Sequence, residues 1–189
     1  MDNTAADAAT LARVIEARRT IHDFTADVPP RELVLAALDH ARWVPNHHRT
    51  EPWRFYLLGA TAVARIVELN TELVRAKSGD AAAANKRQRW LAMPGWLVVT
   101  CRRSENPDTE REDYAACSCA VHNFSLCLWA SGLGTKWSTG KVTRDPRFFA
   151  AIGADVEREF TVGLIWFGYP QAVPSQTRRP LADVLHDVG

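Results

Sequence analysis

Arginine pairs near both ends of the chain are the side chains best suited to binding an anion. Arg18, Arg19 and Thr20 follow a predicted helix within the stretch RRTIHDF. Two guanidinium groups and a hydroxyl can grip a phosphate through charge-assisted hydrogen bonds. Arg178 and Arg179 in the tail form a second candidate phosphate clamp. Such pairs are also common on solvated surfaces, so residue type alone leaves a ligand role and a plain basic turn both open.

Two groups of residues have the side chains of a metal site. His47, His48 and Glu51 lie in the proline-bounded loop VPNHHRTEP, but the sequence offers no further obvious ligand for them. The second group, on a predicted helix, is Cys117, Cys119 and His122. Helical positions two apart point away from each other, so a shared ion is not expected there. We therefore predict no metal site, and no catalytic triad can be recognised from any spacing.

A predicted central helix organises the chain. The stretch DYAACSCAVHNFSLCLWASGLGTK, from Asp113 to Lys136, has no charged side chain between its two ends. Two apolar stripes at helical spacing run along it (Tyr114, Cys117, Val121, Phe124 and Leu128; Ala116, Ala120 and Cys127). Gly132 is predicted to end the helix in the left-handed conformation. Interspersed serine, histidine and asparagine residues argue against a membrane span. We expect this helix to be covered partly by its own domain and partly by a second subunit.

The remaining pattern predicts an α+β domain with one mixed or mostly antiparallel sheet, spanning residues 1–189 as a single unit. The expected helices cover residues 4–18, 31–43, 61–77 and 146–152. The expected strands cover residues 53–58, 96–101, 135–138 and 160–167. The Ala-rich, charged stretch from Ser78 to Arg89, within a Ser78–Met93 excursion, is predicted to be mobile. The proline-rich tail is predicted to be an extended arm.

Composition excludes several classes of partner and setting. A net charge of +1 gives no reason to expect binding to nucleic acid or to an acidic membrane surface. The first ten residues lack a basic region followed by an apolar run, so no signal peptide is expected. Three of the four cysteines lie on the central helix, where bridging is geometrically poor. A reducing cytoplasm is the simplest setting.

Several stretches, taken in order, resemble the FMN-dependent nitroreductase family, especially its small single-domain bacterial members. They are RRT near the start, PNHHRTEPWRF, the central helix running into GLGTKWSTG, and GYP with an Arg-x-Pro tail. The GLGTKWSTG segment is not a dinucleotide fingerprint, because Trp137 stands where the third glycine would be. The resemblance covers the chain from about Arg18 to about Leu181.

The resemblance implies a homodimer with FMN held at the subunit interface. Matching positions imply that FMN phosphate and ribityl contacts come from Arg18, Arg19 and Thr20, with a second phosphate contact from Arg178. Trp137, Ser138 and Thr139 match the segment that runs beside the flavin in the family. His47 matches a position that reaches the flavin of the other subunit, and Pro52 and Trp53 match the wall beside it.

Two positions depart from the family pattern. His22 stands where many relatives carry Lys or Arg near the pyrimidine edge of the flavin, and Gln176 replaces a lysine near the tail arginine. The first difference bears on the flavin potential and the second on phosphate affinity.

The resemblance further implies an oxidoreductase that takes a hydride from NADH or NADPH and passes it through FMN to a nitroaromatic, quinone or similar oxidant. The expected kinetics are ping-pong, and no acid–base side chain is required. Two alternatives remain open. One is a flavin enzyme of the same fold that performs dehalogenation or oxygen-dependent cleavage. The other is a non-catalytic FMN-binding or interaction domain.

Overall fold

The computed structural model describes residues 5–189 and is built on a four-stranded antiparallel sheet. The strands are β1 (Trp53–Leu57), β2 (Gly95–Arg102), β3 (Gly134–Ser138) and β4 (Glu159–Gly168). Their order across the sheet is β1-β2-β4-β3, so β3 is an edge strand. The predicted α+β class and mostly antiparallel sheet are confirmed.

Five helices flank this sheet in the described part of the chain. They are α1 (Ala5–Ala17), α2 (Arg31–Ala41), α3 (Ala60–Leu91), α4 (Pro107–Ala130) and α5 (Pro146–Ile152). The predicted start of α1 at Thr4 lies outside the described residues. The helix α5 has the predicted bounds, and Gly132 has the predicted positive φ of 80°.

Two apolar clusters fill the two faces of the sheet. On one face, Leu97, Val99 and Ile165 pack with Cys117, Phe124 and other residues of α2 and α4. On the other face, the cluster includes Trp96, Val98, Leu164 and Trp166, together with residues of α3 and α5. Successive side chains of a strand point to opposite faces, which is why neighbouring residues of β2 and β4 divide between the two clusters.

The predicted mobile excursion from Ser78 is wrong. The helix α3 continues to Leu91, with a kink at Gly79, whose φ of 80° and ψ of 175° are not helical. Ala83 and Trp90 in the second half are buried, and the ring of Trp90 contacts Trp96 and Trp166 of the sheet. Local composition was misleading because the burial of a few side chains anchors a helix that is otherwise polar.

The central helix begins six residues before the predicted Asp113. Asn106 caps α4, since its Oδ1 accepts hydrogen bonds from Asp108 N at 2.9 Å and Thr109 N at 3.3 Å. Pro107 occupies the first helical turn, where its missing N–H costs nothing. The mostly polar residues 107–112 therefore extend the helix towards its N-terminus.

Helical spacing predicts that Leu11 and Ile15 of α1 and Ala36 of α2 face inward, but all three side chains are exposed. In α1 only Val14 is buried, while Leu11 and Ile15 lie open. In α2, Ala36 is exposed and Val34 takes its place in the core. Tyr114 at the start of the α4 stripe is also exposed.

No helix within residues 5–189 has the length and apolar character needed to cross a membrane. All four cysteines carry free thiols, as predicted.

Candidate cofactor site beside strand β3

The segment that follows α1 lies along the edge strand β3. Ile21 N donates a hydrogen bond to Thr135 O at 3.0 Å, and Thr20 pairs with Thr135 in a parallel bridge. This close approach requires a glycine at position 134, because a Cβ there would lie 2.3 Å from Ile21 Cγ1. Arg18 and Thr20 are thereby fixed beside β3.

A cavity of about 150 Å³ opens at this junction. The residues that line it come from three elements: Arg18, Thr20, His122, Ser125, Thr135 and Trp137. Three of them, Arg18, Thr20 and Trp137, were predicted to bind a cofactor. The segment after α1, the middle of α4 and the edge strand meet here only because of the tertiary fold.

Arg18 is the charged residue of the cavity lining, and no acidic residue lines the cavity with it. Burial lowers the pKa of Arg18, and the nearby charges of Arg19 and Arg178 lower it further. Within residues 5–189, no carboxylate lies within ion-pair distance of Arg18. Burial also lowers the pKa of His122, and the charge of Arg18 adds to the effect. These groups would all be stabilised by a bound anion.

Arg178 comes from the tail, far from Arg18 in sequence. Its charge acts on the guanidinium of Arg18, so the extended tail returns towards the segment after α1. The two arginines predicted as phosphate ligands are therefore near enough for their charges to interact.

The side chain of Arg19 has a different orientation from that of Arg18. Its Nη1 donates to the carbonyl oxygens of Glu16 and Arg18, the latter at 2.9 Å, and it does not line the cavity. His22 is exposed and also lies outside the cavity lining.

Trp137 forms an aromatic wall at the rim of the cavity. Its Nε1 donates to Val162 O at 3.0 Å, and the side chain is 40% exposed. The indole packs directly on the backbone of Gly163, where a Cβ would come within 2.1 Å of Nε1. The indole is thus held by a hydrogen bond and by close packing while part of it remains open to a ligand.

The predicted flavin segment Trp137–Thr139 divides between the two sides of β3. Trp137 lines the small cavity, whereas Ser138 lines a separate cavity of about 460 Å³ between β3 and α3. Thr139 follows the strand and is exposed. A ligand that contacts all three residues would therefore extend around the end of β3, from one side of the strand to the other.

His47 lies elsewhere, in a strained loop. Its Nδ1 is 2.7 Å from Glu112 Oε2, and its ring stacks on His48 with centroids 3.8 Å apart. His48, Arg49 and Glu51 all have positive φ, which is unusual for residues other than glycine. The nearby carboxylate belongs to Glu112 and not to Glu51, and all three groups of this His–His–Glu cluster are exposed.

His122, Ser125 and Thr135 line the cavity although the sequence did not point to them as ligands. His122 and Ser125 are three residues apart on α4, so they share one face of the helix. The one signal in the sequence for a site here is a pair of polar residues three positions apart on an otherwise apolar helix. Thr135 is covered by the segment that follows α1, so its burial could not be predicted from the residues next to it in the sequence.

Comparison with known proteins identifies a family. The family model described as the nitroreductase family matches residues 15–169. The YfhC protein of Bacillus subtilis (strain 168), named as a candidate NAD(P)H nitroreductase, is 30% identical over 178 residues, 92% of this chain and 91% of that protein.

Solved structures give the same result. The crystal structure of a nitroreductase-like family protein from Bacillus cereus superposes with a TM-score of 0.82 at 31% identity, covering 94% of this chain and 95% of that one. A nitroreductase-type protein from Desulfovibrio desulfuricans, solved in complex with FMN, shares the fold with a TM-score of 0.75 at 24% identity over 95% and 96% of the two chains.

Proposed function

Since this chain belongs to the nitroreductase family, we propose that it is an FMN-dependent oxidoreductase that uses NADH or NADPH to reduce a nitroaromatic, quinone or similar oxidant. The relative from Bacillus subtilis carries NAD(P)H in its name, which supports the choice of hydride donor.

The observation that carries the proposal is a cavity lined by Arg18 and His122 and by no carboxylate, with the charge of Arg178 acting on Arg18. Like charges brought together destabilise the protein unless an anion binds between them. The phosphate of FMN has the charge and the acceptor oxygens that this set requires. Thr20 and Ser125 add hydroxyl groups at the same cavity.

The residues beside the phosphate position fit a flat ring. Trp137 presents a partly exposed indole, and the chain at Ser138 and Thr139 continues past the end of β3. Bound FMN would supply the hydride and electron transfer between the nicotinamide and the oxidant. The protein orients the ring with this segment, anchors the phosphate with the two arginines and supplies hydrogen-bond donors along the ring edge. His22 is the candidate donor at the pyrimidine edge.

We further propose that the protein is a homodimer of single-domain subunits whose cofactor site needs both chains. Large apolar side chains that one chain leaves exposed support this proposal: Leu11, Ile15, Leu35, Trp43, Tyr114 and Trp137. The tail adds Val173, Leu181, Val184 and Leu185, which are also exposed. His47 does not line the cavity of its own chain, so a cofactor contact from His47 would be made with the partner's site.

The visible spectrum of the purified protein tests the proposal directly. We expect a yellow protein with a 1:1 content of FMN, bleached by NADH or NADPH without oxygen and restored by a quinone. A colourless protein that does not take up added FMN would rule the proposal out. Sedimentation at micromolar concentration should show a dimer, and a monomer that retains FMN would contradict the two-chain site.

Steady-state kinetics separate this function from its alternatives. Donor and oxidant that use the same flavin face in turn give parallel lines in double-reciprocal plots. An FMN-binding interaction domain would keep its colour and show no turnover with a quinone. A dehalogenase of the same fold would release halide from a haloaromatic faster than it reduces a nitroaromatic.

A further inference from the structure

All four lysines of the chain line one cavity. The sequence contains four lysines and nineteen arginines, so lysine is rare in this protein. Lys77, Lys86, Lys136 and Lys141 all border the cavity of about 460 Å³ between α3 and β3. A volume of this size is typical of a small-molecule site.

The charged residues that line this cavity are all positive. None of the residues that line it is acidic, and no carboxylate within residues 5–189 forms an ion pair with any of the four lysines. Burial lowers the pKa of Lys136, and the charges of Lys86 and Arg89 lower it further, against a weaker opposing effect of Asp23. Four lysines therefore border a cavity that has no negative charge among its lining residues.

Two buried donors of the same cavity lack a partner in the described part of the chain. They are Asn70 Nδ2 and Trp166 Nε1, on side chains that are 8% and 3% exposed. An unpaired buried donor costs stability, so native proteins retain few of them.

The remaining walls are aromatic and apolar. Trp90 and Trp166 meet edge to face with ring centroids 5.1 Å apart, and Leu73, Val74 and Val142 complete the lining. Lys136 Nζ lies 5.3 Å from the ring centroid of Trp166 and Lys86 Nζ lies 5.8 Å from that of Trp90. The cavity thus combines aromatic and apolar lining residues with a cluster of cations.

We propose that this cavity binds the anionic group of an aromatic substrate, so that the oxidant reduced by the protein is an aromatic anion such as a nitrobenzoate. The inference rests on the proposed function, because Ser138 both lines this cavity and belongs to the candidate flavin segment. The lysines attract the carboxylate while the aromatic ring lies on the apolar wall. The first two-electron step balances as ArNO2 + NAD(P)H + H⁺ → ArNO + NAD(P)⁺ + H2O.

The test compares two ligands that differ in charge. The anion 4-nitrobenzoate and its neutral methyl ester have nearly the same shape. Calorimetry on the FMN-loaded oxidised protein should show that the anion binds more tightly than the ester. Lys86→Met and Lys141→Met change exposed side chains. For the anion, each variant should raise both the dissociation constant and the Michaelis constant about tenfold, while the same constants for the ester should change little.

Matched variants separate charge at the cavity from charge in general. Lys86→Arg keeps the positive charge and should retain most of the preference for the anion. Arg158→Met removes one positive charge from an exposed turn outside the cavity and should leave both ligands unaffected. Lys136→Met should have the largest effect, since Lys136 is the least exposed of the four lysines.

Three outcomes would overturn the inference. If the lysine variants weakened binding of the anion and of the ester equally, the lysines would not distinguish substrates by charge. A raised Michaelis constant for NADPH or NADH alone would assign the lysines to phosphates of the donor. Weaker FMN binding with unchanged ligand preference would assign the cavity to the cofactor. Failure of the proposed function can be distinguished from failure of this inference. Even if the protein binds no FMN, calorimetry still measures whether the cavity binds the nitrobenzoate anion.

Discussion

The indole of Trp137 lies directly on the backbone of Gly163, with Nε1 donating to the carbonyl oxygen of the preceding Val162 at 3.0 Å. No side chain larger than hydrogen fits between this strand and the ring. The edge strand β3 and its neighbour β4 therefore hold the aromatic wall of the candidate cofactor site in one position.

Gly163→Ala tests this packing. The new Cβ would lie 2.1 Å from Trp137 Nε1, so the indole must move and lose its hydrogen bond. We expect a loss of about 1–3 kcal/mol in unfolding free energy, as for other overpacked sites, and weaker FMN binding. Gly59→Ala is the matched control, because a Cβ at position 59 meets nothing within 4 Å. Unchanged FMN affinity in Gly163→Ala would show that the position of Trp137 is unimportant for the cofactor.

The two neighbouring arginines should behave differently. Arg18→Ala is expected to weaken FMN binding by about 1.5–3 kcal/mol, the range for a hydrogen bond to a charged group. Arg178→Ala should weaken it in the same direction. Arg19→Ala should have a smaller effect, because the guanidinium of Arg19 is directed at the carbonyl oxygens of Glu16 and Arg18. Fluorescence titration with FMN measures all three, and an Arg19 effect larger than that of Arg18 would contradict the orientation of these two side chains.

His122 should make the stability of the FMN-free protein depend on pH. Burial and the charge of Arg18 lower its pKa in the folded state, so the unfolded chain binds a proton more readily. Stability then falls as the pH falls below about 6.5, the ordinary value for histidine. Thermal unfolding of the wild type between pH 8 and pH 5 should show this loss, and His122→Asn should lose less. A bound phosphate favours the imidazolium form, so saturating FMN should reduce the difference; identical profiles with and without FMN would argue against the phosphate position.

Tyr56 should be the last tyrosine to ionise. Partial burial, together with hydrogen bonds from its hydroxyl to Glu159 at 2.9 and 3.0 Å, raises the pKa of Tyr56 to about 12. The protonated form is favoured by folding, so this contribution to stability is complete below pH 10 and is lost as the pH rises towards 12. Ultraviolet absorbance should show one of the three tyrosines titrating late. Tyr56→Phe should abolish that late phase, and its persistence would assign it to another residue.

Local sequence patterns were sufficient for the strands, for α5 and for the turn at Gly132. In each of these, the relevant signal is carried by adjacent residues: an apolar run for β2, a proline and a short apolar stretch for α5, and a glycine that tolerates positive φ. The family was also recognisable from sequence, since its motifs are short and occur in a fixed order. The same reasoning failed at Gly79, because a kinked helix is stabilised by contacts of Ala83 and Trp90 with distant residues.

The tertiary structure decided which side chains share a site. Arg18 and Arg178 are 160 positions apart, and only the return of the tail brings their charges together. The direction of the Arg19 guanidinium depends on local carbonyl groups whose positions a sequence does not specify. The four lysines are separated by up to 64 positions, and their convergence on one cavity follows from the packing of α3 against β3. The sequence by itself determines the residue types and the local elements, whereas electrostatic coupling depends on distances that exist only after the chain has folded.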